Sequence, residues 1–146
     1  MEQNKLISLA LNFASFLIDK IKVKNIILFG SIATNTFDKE SDIDLFIETD
    51  RKNESKINNL LELYKKTKEY EKFKLTGIQN EISIKCGDLE NWKDLKRSII
   101  SNGIVLYGKY QGKPDNLKHK LLFMLDIKNL PRAKKVKIWR KISTRK

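Results

Sequence analysis

The sequence predicts an α/β fold: a small mixed sheet with helices packed chiefly on one face, followed by a basic C-terminal extension. Three observations predict it. Apolar residues recur every three or four positions between Leu6 and Ile21, which is the stripe of an amphipathic helix. Short runs at 24–29, 42–49 and 81–86 are β-branched or alternate with a period of two, as strands do. Positive charge accumulates after residue 112, so residues 1–112 are read as one domain and 113–146 as an extension.

In order, Leu6, Leu9, Ala10, Phe13, Phe16, Leu17 and Ile21 form the first helical stripe, expected to cover the sheet. Lys24 to Phe29 is the first strand, ending at Gly30, and Ser31 to Ser41 reads as a polar connection. From Asp42 to Thr49, Ile43, Leu45 and Ile47 face one way and Asp42, Asp44, Phe46 and Glu48 the other, so one face is core and the other carries the acids. Ile57, Leu60, Leu61 and Tyr64 mark a second helix reaching towards Phe73, with a solvated Lys and Glu surface. Ile82, Ile84 and Cys86 point inward from a third strand that turns Glu81, Ser83 and Lys85 outward. Asp88 is a candidate N-cap for the stripe Leu89, Trp92, Leu95 and Ile99, which Asn102-Gly103 ends, and Ile104 to Tyr107 is a fourth short strand. Lys120 to Ile127 is an apolar run, strand-like or helical, and Leu130-Pro131 precedes a basic segment from Ala133 to Ile142.

The 146 residues hold 40% hydrophobic and 33% charged residues with a formal net charge of +12, a balance that favours an acidic partner such as nucleic acid, nucleotide or an acidic protein surface. Residues 113–146 contain twelve Lys or Arg and only Asp115 and Asp126 as acids, so the first 112 residues are nearly balanced. Cys86, the sole cysteine, rules out an intrachain disulfide and a cysteine-based metal site. Asn12, Asp19 and Lys20 interrupt the first apolar stretch, which fits neither a secretory signal nor a spanning helix. The expectation is a soluble cytoplasmic protein with no membrane partner.

Ten residues separate Gly30-Ser31 from Asp42-Ile43-Asp44. Two aspartates at i and i+2 on a strand set their carboxylates side by side, and a cation relieves their repulsion. Oxygen-only ligands of this kind suit Mg²⁺, whose remaining ligands come from water and phosphate. A Gly-Ser turn at the end of the adjacent strand offers free backbone N–H groups and a hydroxyl to those phosphates. By spacing alone, a solvated strand end accounts for Asp-x-Asp equally well.

The whole string, Gly30-Ser31 followed by Ser41-Asp42-Ile43-Asp44-Leu45, resembles the signature of the DNA polymerase beta-like nucleotidyltransferase superfamily, and particularly its minimal nucleotidyltransferases. The order of elements is similar from residue 5 to 108. The resemblance implies that Gly30 and Ser31 hold the phosphates of an NTP, and that Asp42 and Asp44 bind two Mg²⁺ ions, with Mn²⁺ able to substitute. A third carboxylate from a neighbouring strand then completes the site, and the reaction is in-line attack of a hydroxyl on the α-phosphate with release of pyrophosphate. Glu81 is the one carboxylate on the outward face of the third strand; it is either that third catalytic acid or a charged residue at the strand's start. Lys85 on the same face is a possible phosphate contact. Where the family often has an aromatic residue, Ala, Arg and Gly after Gly-Ser, this chain has Ile32, Ala33, Thr34 and Asn35.

The acceptor implied is a protein, as for minimal nucleotidyltransferases that modify toxin partners, or an RNA, as the basic extension suggests. Lys134, Lys135, Lys137, Trp139 and Arg140 are the candidate nucleic-acid contacts, Trp139 being equally readable as an anchor for a C-terminal helix. His119 reads as a surface residue, Cys86 as a small apolar core residue and Trp92 as a packing residue. The alternative function is a catalytically degenerate module on the same fold that binds nucleic acid or a partner protein.

Overall fold

The computed structural model describes residues 2–109 and 131–142, with side chains except at 51 and 139–142. The chain divides into two compact units, Met1–Pro114 and Asp115–Lys146.

The first unit begins with α1 (Glu2–Ile18), whose buried stripe is Leu6, Leu9, Ala10, Phe13, Ala14 and Leu17. It stops three residues short of the expected end. The amides of Lys20 and Ile21 both donate to the Leu17 carbonyl at 3.0 Å, turning the chain while leaving Ile21 buried. β1 (Asn25–Phe29) is buried throughout. It runs directly into a short helix, α2 (Gly30–Thr34), where the sequence suggested only a polar connection.

β2 (Ile43–Glu48) follows, then a 3₁₀ turn (Arg51–Asn53) and α3 (Glu54–Tyr64). The single helix expected to reach Phe73 is two, because α4 (Lys68–Leu75) starts afresh at Thr67. Thr67 is extended (φ −82°, ψ 152°); its hydroxyl donates to the Tyr64 carbonyl at 2.7 Å and accepts from the Tyr70 amide at 3.3 Å, closing one helix and capping the next. β3 (Ile82–Gly87), a 3₁₀ turn (Leu89–Asn91), α5 (Lys93–Asn102) and β4 (Ile104–Tyr107) complete the unit. Asp88 caps the 3₁₀ turn rather than α5, accepting from the Glu90 amide at 3.0 Å.

The four strands form one mixed sheet in the order β3-β2-β1-β4. β1 is antiparallel to β2 and β4, and β2 is parallel to β3, the crossover between them being α3 and α4. On one face Leu28, Leu45 and Ile47 pack with Phe13, Leu17 and Ile57 in the larger core. Tyr64 stacks there against Phe13 and Phe16 with ring centroids 5.1 and 5.3 Å apart, and donates to Asn12 Oδ1 at 2.8 Å.

The other face, to which alternation along β2 assigns the acids, is not left to solvent. Phe46 is fully buried with Ile27, Phe29 and Ile99, because α5 and the edge of Trp92, its ring centroid 6.5 Å from that of Phe46, cover it. Glu48 is buried as well, accepting at 2.5 Å from the Asn25 side-chain amide, whose own oxygen accepts from the Lys109 amide at 2.9 Å. The hydrogen bond from Asn25 offsets part of the cost of burying this carboxylate.

In the second unit, α6 (Arg132–Ile142) exposes Lys134 and Lys137, with Lys135 half-buried. The run Lys120–Ile127, His119, and the side chains of Trp139 and Arg140 lie outside the described residues. Among the described residues no helix is long and apolar enough to cross a membrane.

Candidate active site

The antiparallel register of β1 and β2 sets Phe29 opposite Asp44, so the next residue, Gly30, lies against the Asp44 carboxylate. A Cβ on Gly30 would overlap Asp44 Oδ2 and stand 3.3 Å from its Cγ. The backbone there also has φ +75°, a region that side chains disfavour. Position 30 therefore requires glycine twice over, and both reasons serve the site. α2 starts at this point with no side-chain cap, leaving its first N–H groups without helical partners beside the carboxylate.

The rest of α2 accounts for the residues that depart from the family pattern. Asn35 adopts φ 58° and ψ 33° and its N–H reaches the carbonyls of Ser31 and Ile32; asparagine tolerates this left-handed conformation, so it fills the role of a helix-ending glycine. The Thr34 hydroxyl folds back onto the Gly30 and Ser31 carbonyls at 3.2 Å each, leaving no long cation at that position. Gln3 Nε2 donates to the Ile32 carbonyl at 2.7 Å, tying α1 to α2.

The segment leading to the aspartates is braced from both sides. The Ser41 hydroxyl donates to Asp38 Oδ1 at 2.8 Å, and the Glu40 amide donates to the same oxygen at 3.0 Å. These bonds, Ser41 first, hold the Asp38 carboxyl below its ordinary pKa. Asn80 donates its side-chain amide to the Ser41 carbonyl at 2.6 Å and to the Lys39 carbonyl at 3.3 Å, tying the approach to β3 to the residue before Asp42.

Asp44 is half-buried and Asp42, two residues earlier, is exposed. The parallel register sets Ser83 of β3 beside Asp44 and Lys85 beside Phe46. Loss of water on burial pushes the Asp44 carboxyl above its ordinary value, and the neighbouring Asp42 charge adds to the rise; a hydrogen bond from the Ser83 hydroxyl and the Lys85 charge offset part of it. The Lys85 ammonium lies 5.7 Å from the centroid of the Phe29 ring and 6.0 Å from that of Trp92.

Glu81 is directed elsewhere. Its carboxylate pairs with Lys65 at 3.2 Å and Lys74 at 3.7 Å, while its carbonyl accepts from the Ile43 amide at 2.8 Å to start the parallel ladder. Among the described residues, no three His, Cys, Asp or Glu side chains are grouped to hold a metal ion. The position nearest Asp44 on β3 thus belongs to Ser83. Its placement depends on the register of a parallel pair, which alternation along one strand does not specify.

Residues 12–112 match the model of the family described as Polymerase beta, Nucleotidyltransferase. The chain belongs to that family. A Methanocaldococcus jannaschii protein with the provisional name protein adenylyltransferase is 49% identical over 45 residues, which are 31% of this chain. The match spans 45% of that relative's length. Two solved structures are also similar: a toxin-antitoxin with AMP-PNP (TM-score 0.44, 21% identity, 76% of this chain and 77% of that one), and a mutant of the toxin-antitoxin MntA-HpeT (TM-score 0.45, 20% identity, 68% and 73%).

Proposed function

We propose that the chain is a Mg²⁺-dependent nucleotidyltransferase that moves an NMP group from an NTP to a hydroxyl of an acceptor protein. The observation that carries this reading is the packing of Gly30 on the Asp44 carboxylate, which makes the phosphate-binding turn and the acidic pair one continuous surface. The donor set fits a hard dication: Asp42 and Asp44 offer carboxylate oxygens, and Asp44 is a partly desolvated anion with another anion beside it. Asp42 and Asp44 would hold Mg²⁺, which would supply charge neutralisation for the transferred phosphate and the leaving pyrophosphate.

The chain's own residues have separate tasks. The uncapped amides at the start of α2 and the Ser31 hydroxyl hold phosphate oxygens, and the αL turn at Asn35 with the Gln3 bond keeps those amides in place. Ser83, paired with Asp44 across the parallel strands, sets a hydroxyl beside that carboxylate and favours its ionised form. Phe46 and Trp92 pack beside Asp44 on the same face of the sheet and form its apolar flank. The name of the 49% identical relative supports AMP as the group moved and a protein as the acceptor.

RNA is the second acceptor to test, supported by the exposed Lys134 and Lys137 on α6; Lys135, Trp139 and Arg140 are the other contacts proposed from the sequence. A catalytically degenerate binding module is supported by the pairing of Glu81 with Lys65 and Lys74, away from the aspartates. Labelled ATP or CTP, incubated with Mg²⁺ and protein or RNA acceptors, separates these readings. Label is expected on protein and lost in the Asp42→Ala/Asp44→Ala variant; transfer that survives the double substitution overturns the enzyme reading. Nucleotide binding with no transfer to any acceptor favours the degenerate module.

A further inference from the structure

We infer that β3 makes this a single-cation site, in which the Lys85 ammonium supplies the second positive charge that a bound triphosphate meets. The inference rests on the nucleotidyltransferase reading above and concerns how that site balances its charge.

Two divalent ions side by side repel each other, and protein carboxylates and substrate phosphates together offset that repulsion. Among the described residues, the carboxylates at this site come from β2 alone. The parallel register puts a neutral hydroxyl, Ser83, beside Asp44, and Glu81 is engaged by Lys65 and Lys74. No group of three His, Cys, Asp or Glu is available to a metal among the described residues. Among the described residues Asp42 and Asp44 are thus the carboxylates grouped for a dication, and a second ion would have no further protein carboxylate to set beside the triphosphate.

Lys85 occupies the position on the same strand where positive charge is useful. It follows Ser83 by two residues, so both side chains are on the face that carries Asp44. Its ammonium is held over the rings of Phe29 and Trp92, and Phe29 is the residue immediately before the Gly30-Ser31 turn. Both rings belong to the smaller apolar cluster, and Lys85 stands beside Phe46 in the sheet, one row from Asp44, so its ammonium lies above that cluster on the face that carries the carboxylate. Its field also reaches the Asp44 carboxylate. A fixed ammonium beside one metal-bound triphosphate can neutralise oxygens that the single ion does not reach.

The test counts bound ions directly. Mn²⁺, followed by its electron paramagnetic resonance, is titrated into the full chain with a non-hydrolysable ATP analogue. The wild-type chain is expected to hold one ion per chain with the analogue, Ser83→Ala also one, and Ser83→Asp two. Lys85→Gln is expected to bind the analogue about tenfold more weakly, the loss of one charge-assisted phosphate contact, with its ion count unchanged. Two ions in the wild type, or analogue affinity indifferent to Lys85→Gln, overturns the inference while leaving the proposed function in place. No binding of analogue or Mn²⁺ by the wild type overturns both. Should Ser83→Asp fail to fold, the wild-type count and the Lys85→Gln affinity still decide.

Discussion

On one face of the sheet Phe13, Leu17, Leu28, Leu45, Ile47 and Ile57 are sealed from water in a continuous core, whereas on the other the buried apolar residues, among the described residues, are Ile27, Phe29, Phe46 and Ile99. That smaller cluster gives way along the same strands to Asp44, Ser83 and Lys85. β2 belongs to both: Leu45 faces the large core, while Asp44 and Phe46 face the small one. The contrast shows how a short chain can hold a carboxylate in an unfavourable place. Apolar burial on one face supplies the stability, and the other face is free to keep a partly desolvated anion ready for a cation.

This division can be broken experimentally, and the largest effect belongs to the large core. Phe13→Ala should cost about 3–5 kcal/mol in urea unfolding, the range for truncating a fully buried aromatic residue. Phe46→Ala, equally buried but in a cluster edged by half-exposed residues that can collapse inward, should cost about 3 kcal/mol or less. Equal losses would mean that the two faces carry stability alike. Gly30→Ala comes next, at about 1–3 kcal/mol for a side chain forced into a left-handed backbone; because the new methyl meets Asp44, nucleotide transfer should fall further than stability does.

Thr67→Ala, on the helical side and remote from the aspartates in the fold's connectivity, should cost about 1 kcal/mol through loss of the α4 cap, with transfer unchanged in conditions where the variant is folded. The smallest effect has the opposite sign. The folded-state pKa of Asp44 lies above its ordinary 3.8, so its ionised form costs stability as pH rises through the folded value and costs nothing below 3.8, where both states are protonated. Asp44→Asn should therefore raise Tm slightly near neutral pH, the gain should vanish in acid, and Mn²⁺ binding should be lost at every pH. A fall in Tm at neutral pH would show that Asp44 is not under electrostatic strain.

Much of this was legible in the residues. The stripe from Leu6 to Leu17 and the apolar positions of β1 to β4 follow from period and side-chain type, and the spacing of Gly30-Ser31 to Asp42-Ile43-Asp44 pointed to the family. Local chemistry decided the corrections. Thr67 could be read as any polar helix residue until its hydroxyl was seen to serve both Tyr64 and Tyr70. Alternation assigns Phe46 and Glu48 to the face opposite the core, and it does not reveal their burial because it ranks positions along one strand and says nothing of what α5 or Asn25 brings to that face. Asn35 looked like the loss of a glycine, and only its backbone angles reveal that the conformation is kept.

From the sequence alone came the fold class, the helical and strand segments and the acidic pair beside a Gly-Ser turn, because each depends on neighbours within a few residues of chain. What the tertiary structure decided was the company that pair keeps. Residues Glu81, Ser83 and Lys85 alternate on one strand, and by pattern Glu81 is the candidate third acid and Lys85 a candidate phosphate contact, but pairing across β2 puts Ser83 at Asp44, while Glu81 pairs with Lys65 and Lys74. Register and long-range ion pairs join residues far apart in the chain, and no local period encodes them.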